Sequence, residues 1–157
     1  MKLYIKQKVF SWNDRFTVMD ASGTPRFYVE GELFSWGKKL HIYDIHGQEL
    51  AFIHQEVWSF LPRYYISSGG SQIAEVVKEF SFFFPKYRIL GPGWDTEGSF
   101  LAHDYSITQD GLPVATVNKE WMTWGDSYQL EVFDPANEVL CLAVALIIDC
   151  VLASQND

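Results

Sequence analysis

The sequence contains few cysteines and few basic residues. It has two cysteines in 157 residues, and 12 Lys and Arg stand against 20 Asp and Glu, which gives a formal net charge of −8 at pH 7. This charge argues against a protein that binds nucleic acid by neutralising phosphates over a broad face. Cys141 and Cys150 would be separated by about 13.5 Å along the axis of a helix. A disulfide between them is excluded at that distance, and we interpret both as small buried apolar residues.

A secretory signal and a complete membrane-spanning segment are also missing. The first residues alternate charged and apolar side chains instead of forming one apolar stretch before a cleavage site. A spanning helix needs about 20 apolar residues, whereas the apolar run 139–148 is interrupted at Asp149. No Lys or Arg follows Lys119, so the basic flank of a cytoplasmic junction is absent. We therefore predict a cytoplasmic protein that does not cross a membrane.

Motifs for catalysis and for cofactor binding are not found. The segment 68–71 is interpreted as a hairpin turn, because no Lys-Ser or Lys-Thr follows it at the spacing of a phosphate-binding loop. No Gly-x-Ser-x-Gly elbow is present to support a nucleophilic serine. The histidines lack the spacing of a zinc site and are interpreted as surface residues. They are His41, His46, His54 and His103. We predict a protein that is not an enzyme and that binds no metal or cofactor.

Aromatic side chains, in contrast, are abundant and occur in alternating patterns. The 12 Phe, 8 Tyr and 6 Trp make up 17% of the residues, a composition that favours β-strands. In the first stretch Leu3, Ile5 and Val9 share one face, while Lys2 and Lys6 share the other. Further short strands are predicted at residues 16–20, 26–30, 40–44, 50–56 and 64–67. Their spacing is typical of a barrel or a sandwich.

Internal repeats link these strands. A shift of 24 residues places Asp20 and Gly23 on Asp44 and Gly47, giving two copies of a strand, an aspartate, a turn glycine and a second strand. Shifts of 23 and 64 residues align other hairpin segments in the same way. The protein is therefore interpreted as an iterated hairpin. The aromatic residues near the turns of these units are expected to line the barrel wall; they are Phe60, Phe83 and Trp124.

The last segment is predicted to be a helix buried inside the strands. Asp134 and Pro135 supply an N-cap and a first helical residue. No face of the following helix is polar, which is typical of a helix surrounded by protein. We therefore predict barrel strands over residues 1–133 and a central helix over 134–153, in a single domain over 1–157.

Asp149 is the carboxylate that this buried helix must accommodate. Its burial is unfavourable unless it is hydrogen-bonded or paired. Backbone amides, a Tyr or Trp donor, or an Arg of the barrel wall would satisfy it and fix the rotation and depth of the helix. The alternative is that Asp149 forms a buried proton or ion site.

An ordered set of short segments covers nearly the whole chain: Lys6-Gln7-Lys8-Val9-Phe10-Ser11, Val29-Glu30-Gly31 with Ser35-Trp36-Gly37, Gly98-Ser99-Phe100 with His103-Asp104-Tyr105, Trp124-Gly125-Asp126-Ser127-Tyr128 and Ala145-Leu146-Ile147-Ile148-Asp149. This set resembles the small bacterial type of the LURP-one-related family. The resemblance implies a tubby C-terminal-like fold, a closed antiparallel barrel of about twelve strands around one buried C-terminal helix. For the bacterial branch it implies no activity, and the shared fold alone does not supply one.

The sequence is compatible with two functions. The favoured one is a scaffold or interaction module that contacts a protein partner through exposed aromatic residues, with candidates at Trp12, Trp36, Trp94 and Trp121. Most of these tryptophans are nevertheless interpreted as core or turn residues. The alternative is a peripheral protein that binds a phospholipid or phosphoinositide head group. The resemblance implies this alternative, because the wider superfamily includes phospholipid scramblases and the tubby C-terminal domain, which binds a phosphoinositide head group.

The lipid alternative depends on the distribution of lysines. Residues 1–78 have a net charge of +1 and residues 79–157 have a net charge of −9. The tubby lipid-site motif matches no positions in this sequence, so none of its residues is transferred. The candidates for lipid or anion contact are instead Lys2, Lys6, Lys8, Lys38 and Lys39. These lysines are also typical of a solvated edge strand.

Overall fold

Twelve strands and one helix make up most of the described chain. The computed structural model describes residues 1–6, 15–32, 35–80, 84–119 and 127–155. Within these ranges the strands are β1 (Lys2–Lys6), β2 (Arg15–Asp20), β3 (Pro25–Gly31), β4 (Lys39–Tyr43), β5 (Glu49–Gln55), β6 (Arg63–Ser68), β7 (Ser71–Glu79), β8 (Lys86–Leu90), β9 (Trp94–Ser99), β10 (Asp104–Gln109), β11 (Leu112–Lys119) and β12 (Ser127–Val132). A 3-10 turn (Pro135–Asn137) precedes the helix α1 (Glu138–Gln155).

The strands form one closed antiparallel barrel. Each strand pairs with its neighbours along the chain, and β1 pairs with β12 to close the sheet. The closing pair stays in register along all of β1, from Lys2 opposite Glu131 to Lys6 opposite Ser127. The expected fold, a closed barrel of about twelve strands around a C-terminal helix, is therefore confirmed.

Alternating polarity decides which side chains enter the barrel. On β1, Leu3 and Ile5 are fully buried, whereas Lys2 and Lys6 are exposed. A similar inward alternation recurs on the other strands except β12, where Ser127 and Gln129 are also buried, and the buried apolar side chains of all twelve form one core with α1. Removal of this apolar surface from water is the main force that holds the helix inside.

The α-helix begins one turn later than predicted. Asp134 does cap the segment, because its Oδ1 accepts a hydrogen bond from the Ala136 N–H at 3.0 Å. The first turn, however, is a 3-10 turn, and α1 starts at Glu138. The segment is long and apolar enough to cross a membrane, with a mean hydropathy of 2.1. It is instead the core helix of the barrel, since every residue from Cys141 to Val151 is buried.

The two ends of the barrel have different connections. Because neighbouring strands are antiparallel, successive connections alternate between the ends. At the end that we name the hairpin end, the connections have two to five residues, as in 69–70 and 44–48, and α1 enters the barrel there. At the other end, named the loop end, the connections include the longer segments 32–38, 56–62 and 80–85, and α1 finishes there.

The two repeated turns of the sequence have the same structure at the hairpin end. Oδ1 of Asp20 and Oδ1 of Asp44 each accept a hydrogen bond from the backbone N–H four residues later, at 2.9 Å in both turns. Gly23 and Gly47 have φ values of 81° and 84°, in the left-handed region that favours glycine. The 24-residue repeat thus correctly predicts a repeated turn.

Candidate functional site

A buried polar cluster surrounds Asp149 on α1. The Tyr128 hydroxyl of β12 donates a hydrogen bond to Asp149 Oδ2, and His103 Nε2 is hydrogen-bonded to Asp149 Oδ1 at 3.1 Å. The rings of His103 and Tyr128 stack with their centroids 4.7 Å apart. The structure therefore gives Asp149 a tyrosine donor, one of the partners considered above, and adds a histidine that the sequence did not indicate.

The charge state of this cluster follows from its burial. Burial raises the pKa of the Asp149 carboxyl, and the hydrogen bonds from His103 and Tyr128 only partly oppose this effect. Burial and the neighbouring carboxylate raise the pKa of the Tyr128 phenol well above its ordinary value, so Tyr128 remains a donor at neutral pH. Asp149, the most exposed of the three, is 6% exposed. The cluster therefore holds α1 to the barrel wall rather than facing solvent.

The prediction that His103 is a surface residue is wrong. Its exposed fraction is 3%. His103 has φ of 50°, and its N–H donates to the Phe100 carbonyl at 3.1 Å, which forms a tight turn between β9 and β10. This turn directs the imidazole into the barrel, towards α1. The local sequence does not show that the His103 side chain points inward, because its partner, Asp149, is 46 residues away along the chain.

Two further polar contacts fasten α1 at other depths. Near its start, Arg26 Nη2 donates to both carboxylate oxygens of Glu138 at 2.9 and 3.1 Å, and the Glu138 side chain is 8% exposed. Near its end, Lys38 Nζ donates to the Cys150 carbonyl at 3.0 Å, where a cation complements the negative end of the helix dipole. These contacts and the Asp149 cluster together set the position of the helix along the barrel axis.

The structure does not gather the predicted lysines into one site. Lys2 lies at the hairpin end of β1 and Lys6 at its loop end, about 13 Å apart for a strand of this length. Lys38 is directed towards the end of α1, and Lys39 lies 3.9 Å from the Glu32 carboxylate. Lys2 and Lys6 share the outer face of β1 as predicted, but they lie at opposite ends of the strand, so Lys2 is separated from the lysines of the loop end. Lys8 lies outside the described residues.

The predicted tryptophans also separate into different environments. Trp36 is 80% exposed in the connection between β3 and β4, whereas Trp94 on β9 is 3% exposed and belongs to the core. Trp94 is therefore not an exposed contact residue, since its position on β9 faces inward. Trp12 and Trp121 lie outside the described residues.

Exposed aromatic residues concentrate in three connections of the loop end. We name the described residues of these connections and their flanks, namely 32, 35–39, 56–63, 78–80 and 84–86, together the aromatic rim. Their exposed large side chains include Trp36 at 80%, Trp58 at 88% and Phe60 at 100%, and also Phe80 and Phe84. The expectation that Phe60 lines the barrel wall is wrong, because it lies in a connection beyond the end of β5; Phe83 and Trp124 lie outside the described residues.

Hydrogen bonds join the first rim segment to Gln55, the last residue of β5, directly before the second rim segment. The Gln55 N–H donates to the Lys38 carbonyl at 2.9 Å, and the Lys38 N–H donates to Gln55 Oε1 at 3.1 Å. Gly37 has φ of 73°, and a Cβ at this position would lie 3.5 Å from the Val57 side chain. Trp36 and Trp58 are therefore carried by loops that touch each other.

The two barrel ends differ in charge. The aromatic rim contains five Lys and Arg and three Glu, a local net charge of +2. The turn segments of the hairpin end, namely 20–26, 44–49, 68–71, 90–95, 109–113 and 131–138, contain one Arg and eight Asp and Glu, a local net charge of −7. The molecule is therefore electrostatically asymmetric along the barrel axis.

His41 forms a separate charged cluster on the outer surface of β4. Its Nδ1 is hydrogen-bonded to Glu49, and its Nε2 lies 3.1 Å from Glu32 Oε1. Burial by itself would lower the pKa of His41, but the hydrogen bonds with Glu49 and Glu32 outweigh that effect and the pKa is raised. The carboxylates approach opposite nitrogens, which is the pattern of an imidazolium ion pair. Within the described ranges no group of three His, Cys, Asp or Glu has the geometry to hold a metal ion.

Comparison with known proteins agrees with this architecture. The family model described as LURP-one-related matches residues 1–149. YxjI of Bacillus subtilis (strain 168), described as an uncharacterised protein, is 37% identical over 157 residues, which cover 100% of this chain and 97% of that protein. An X-ray structure of an Arabidopsis thaliana protein superimposes with a TM-score of 0.71 at 17% identity, covering 96% of this chain and 90% of that one, and supports the fold alone. The length of the family match and the identity to YxjI show that this chain belongs to the LURP-one-related family.

Proposed function

We propose that the protein is a non-enzymatic binding module that docks on membrane surfaces through its aromatic rim. The observation that carries this proposal is the exposure of Trp36, Trp58 and Phe60 on adjoining loops at one end of the barrel. Single exposed apolar residues are ordinary, whereas several large ones close together mark an interaction surface.

Tryptophan and phenylalanine suit the boundary between lipid head groups and acyl chains. A Trp ring places its apolar surface in the acyl region while its N–H remains among the head groups. Full burial of one such side chain contributes about 1.5–3 kcal/mol. Three rim residues would therefore support reversible binding and not permanent anchoring.

The charge asymmetry supports the same orientation. An anionic membrane surface attracts the rim, with its net charge of +2, and repels the hairpin end, where the turn segments have a net charge of −7 and Lys2 adds one positive charge. A molecule oriented in this way places α1 with its last turn towards the lipid.

The occupation of the barrel interior by α1 supports binding at the outer surface rather than catalysis in an internal cavity. The apolar helix fills the barrel, and both carboxylate oxygens of Asp149 are engaged, one by His103 Nε2 and one by the Tyr128 hydroxyl. A ligand that does not displace α1 must therefore use the outer surface or a barrel end.

Liposome flotation tests the proposal. Wild-type protein is mixed with vesicles of phosphatidylcholine alone or with added phosphatidylglycerol and is floated through a density gradient. The rim variant is Trp58→Ser/Phe60→Ser. The matched control is Ile45→Ser/Leu112→Ser, which removes two exposed apolar residues, 54% and 72% exposed, at the hairpin end.

We expect wild type and the hairpin-end control to float with the anionic vesicles and the rim variant to remain at the bottom. If wild type floats with neither vesicle, the membrane proposal is overturned and a protein partner for the rim becomes the better explanation of its exposure. If the rim variant floats as well as wild type, the rim is not the docking surface.

A further inference from the structure

We infer that the loop end responds to the density of negative charge on a membrane and not to the phosphate pattern of one head group. Its partners would then be abundant lipids with one negative charge, such as phosphatidylglycerol or phosphatidylserine. This inference rests on the proposed function, because it concerns the specificity of the same surface.

The basic residues at the loop end are dispersed around the barrel. Six strands each have one at their loop-end terminus; they are Lys6, Arg15, Lys39, Arg63, Lys86 and Lys119, on β1, β2, β4, β6, β8 and β11. Neighbouring strands are about 4.8 Å apart, so these six positions spread over most of the circumference. A ring of this kind matches a planar surface on which charge is also dispersed.

Several of these cations already interact with protein groups. Lys39 lies 3.9 Å from Glu32, and Arg63 lies 3.1 Å from Glu75. The guanidinium of Arg15 lies over an aromatic ring at 4.8 Å. A polyphosphorylated head group is held instead by several cationic donors that converge on one small volume. In the part of the chain that the structure describes, the strand-terminal cations of the loop end are distributed one to a strand. Of the two other rim lysines, Lys38 donates to the Cys150 carbonyl, and Lys78 lies on β7, between the strands of Arg63 and Lys86.

Binding governed by charge density has a recognisable signature. Each cation contributes separately through the surface potential, so no single lysine is indispensable. The attraction weakens as the Debye length shortens from about 10 Å at 0.1 M salt to about 3 Å at 1 M. A stereospecific pocket would instead lose most of its affinity when one of its ligating residues is removed.

The experiment compares two sets of vesicles that have equal total head-group charge. One set contains phosphatidylglycerol, and the other contains a smaller fraction of a polyphosphoinositide. We expect wild-type dissociation constants for the two sets to agree within about threefold and both to weaken together as salt is added. A preference of about tenfold or more for the polyphosphoinositide at equal charge overturns this inference and leaves the proposed function intact.

Two single-lysine variants provide the matched comparison. Lys86→Gln removes a loop-end cation and is expected to weaken binding to both vesicle sets by about fivefold or less. Lys2→Gln removes a cation of the hairpin end and is expected to leave binding unchanged. Loss of binding to one vesicle set only in Lys86→Gln contradicts the inference. Absence of wild-type binding to both sets overturns the proposed function together with it.

Discussion

At the scale of single residues, the sequence predicts that Asp149 needs buried hydrogen-bond partners but does not identify them. A carboxylate inside an apolar helix is visible in the sequence, and the need for partners follows from the unfavourable burial of a charge. The identity of the partners is not visible, because Tyr128 and His103 lie 21 and 46 residues away. Only the closed barrel, with α1 at its centre, brings these residues into contact.

Replacement of Asp149 tests the stabilising role of this cluster. Asp149→Leu leaves the Tyr128 hydroxyl and His103 Nε2 buried without an acceptor, so we expect the free energy of unfolding to fall by about 3 kcal/mol. Asp149→Asn keeps one acceptor and is expected to lose less. Urea denaturation followed by fluorescence measures both. An Asp149→Leu protein that is as stable as wild type would remove the argument that the cluster holds α1.

His41 gives the protein a pH-dependent contribution to stability. Its pKa is raised above the ordinary value of 6.5 in the folded state. The folded state therefore binds the proton more tightly than the unfolded state, and the contribution is complete below pH 6.5 and is lost as pH rises through the folded-state pKa. We expect wild type to lose stability relative to His41→Gln as pH rises above 6.5 and through the folded-state pKa. Urea denaturation measures the free energy of unfolding of both proteins. If the difference between them does not change with pH, His41 does not form an ion pair with Glu49 and Glu32.

At the scale of secondary-structure elements, the first six strands and the repeated turns were predicted, whereas the bounds of β7–β12 and the environments of the connections were not. Alternation identified the inward residues of β1, and the 24-residue repeat identified the turns at Asp20 and Asp44. Phe60 belongs to a similar repeat but is fully exposed. A repeat predicts where a residue lies relative to a turn, but it does not predict whether that turn is buried in the barrel. The start of α1 was placed too early, because Asp134 caps a 3-10 turn that leads into the helix.

The pairing of β9 with β10 depends on one glycine. Gly98 has φ of 124°, and a Cβ there would lie 2.5 Å from the Asp104 carbonyl oxygen. Gly111 has φ of 81° but has no atom within 4 Å of the corresponding position. Both Ala variants strain the backbone, and only Gly98→Ala adds a backbone clash. We expect Gly98→Ala to be less stable than Gly111→Ala by about 2 kcal/mol; equal thermal denaturation midpoints would contradict this close approach.

At the scale of the whole molecule, the charge asymmetry arises from topology. The halves of the sequence differ in charge, at +1 for residues 1–78 and −9 for residues 79–157, but these halves do not correspond to the ends of the barrel. Each strand spans the barrel, so every hairpin contributes residues to both ends. The acidic hairpin end and the basic, aromatic loop end are therefore recognisable only after strand directions are known. The barrel and its central helix were predictable from periodicity, whereas closure through β1 and β12 followed from the family resemblance.

Site-specific fluorescence tests the orientation that this asymmetry implies. Burial raises the pKa of the Cys141 thiol to about 12 and also raises the pKa of Cys150, so both native thiols are unreactive and an introduced cysteine is labelled selectively. An environment-sensitive dye is attached to Phe60→Cys at the loop end or to Leu112→Cys at the hairpin end. With anionic vesicles, we expect a blue-shifted and stronger emission only from the dye at position 60, because only the rim enters the interface. Equal shifts at both positions would indicate binding without a preferred orientation, and a shift only at position 112 would show that the acidic end faces the lipid despite its charge.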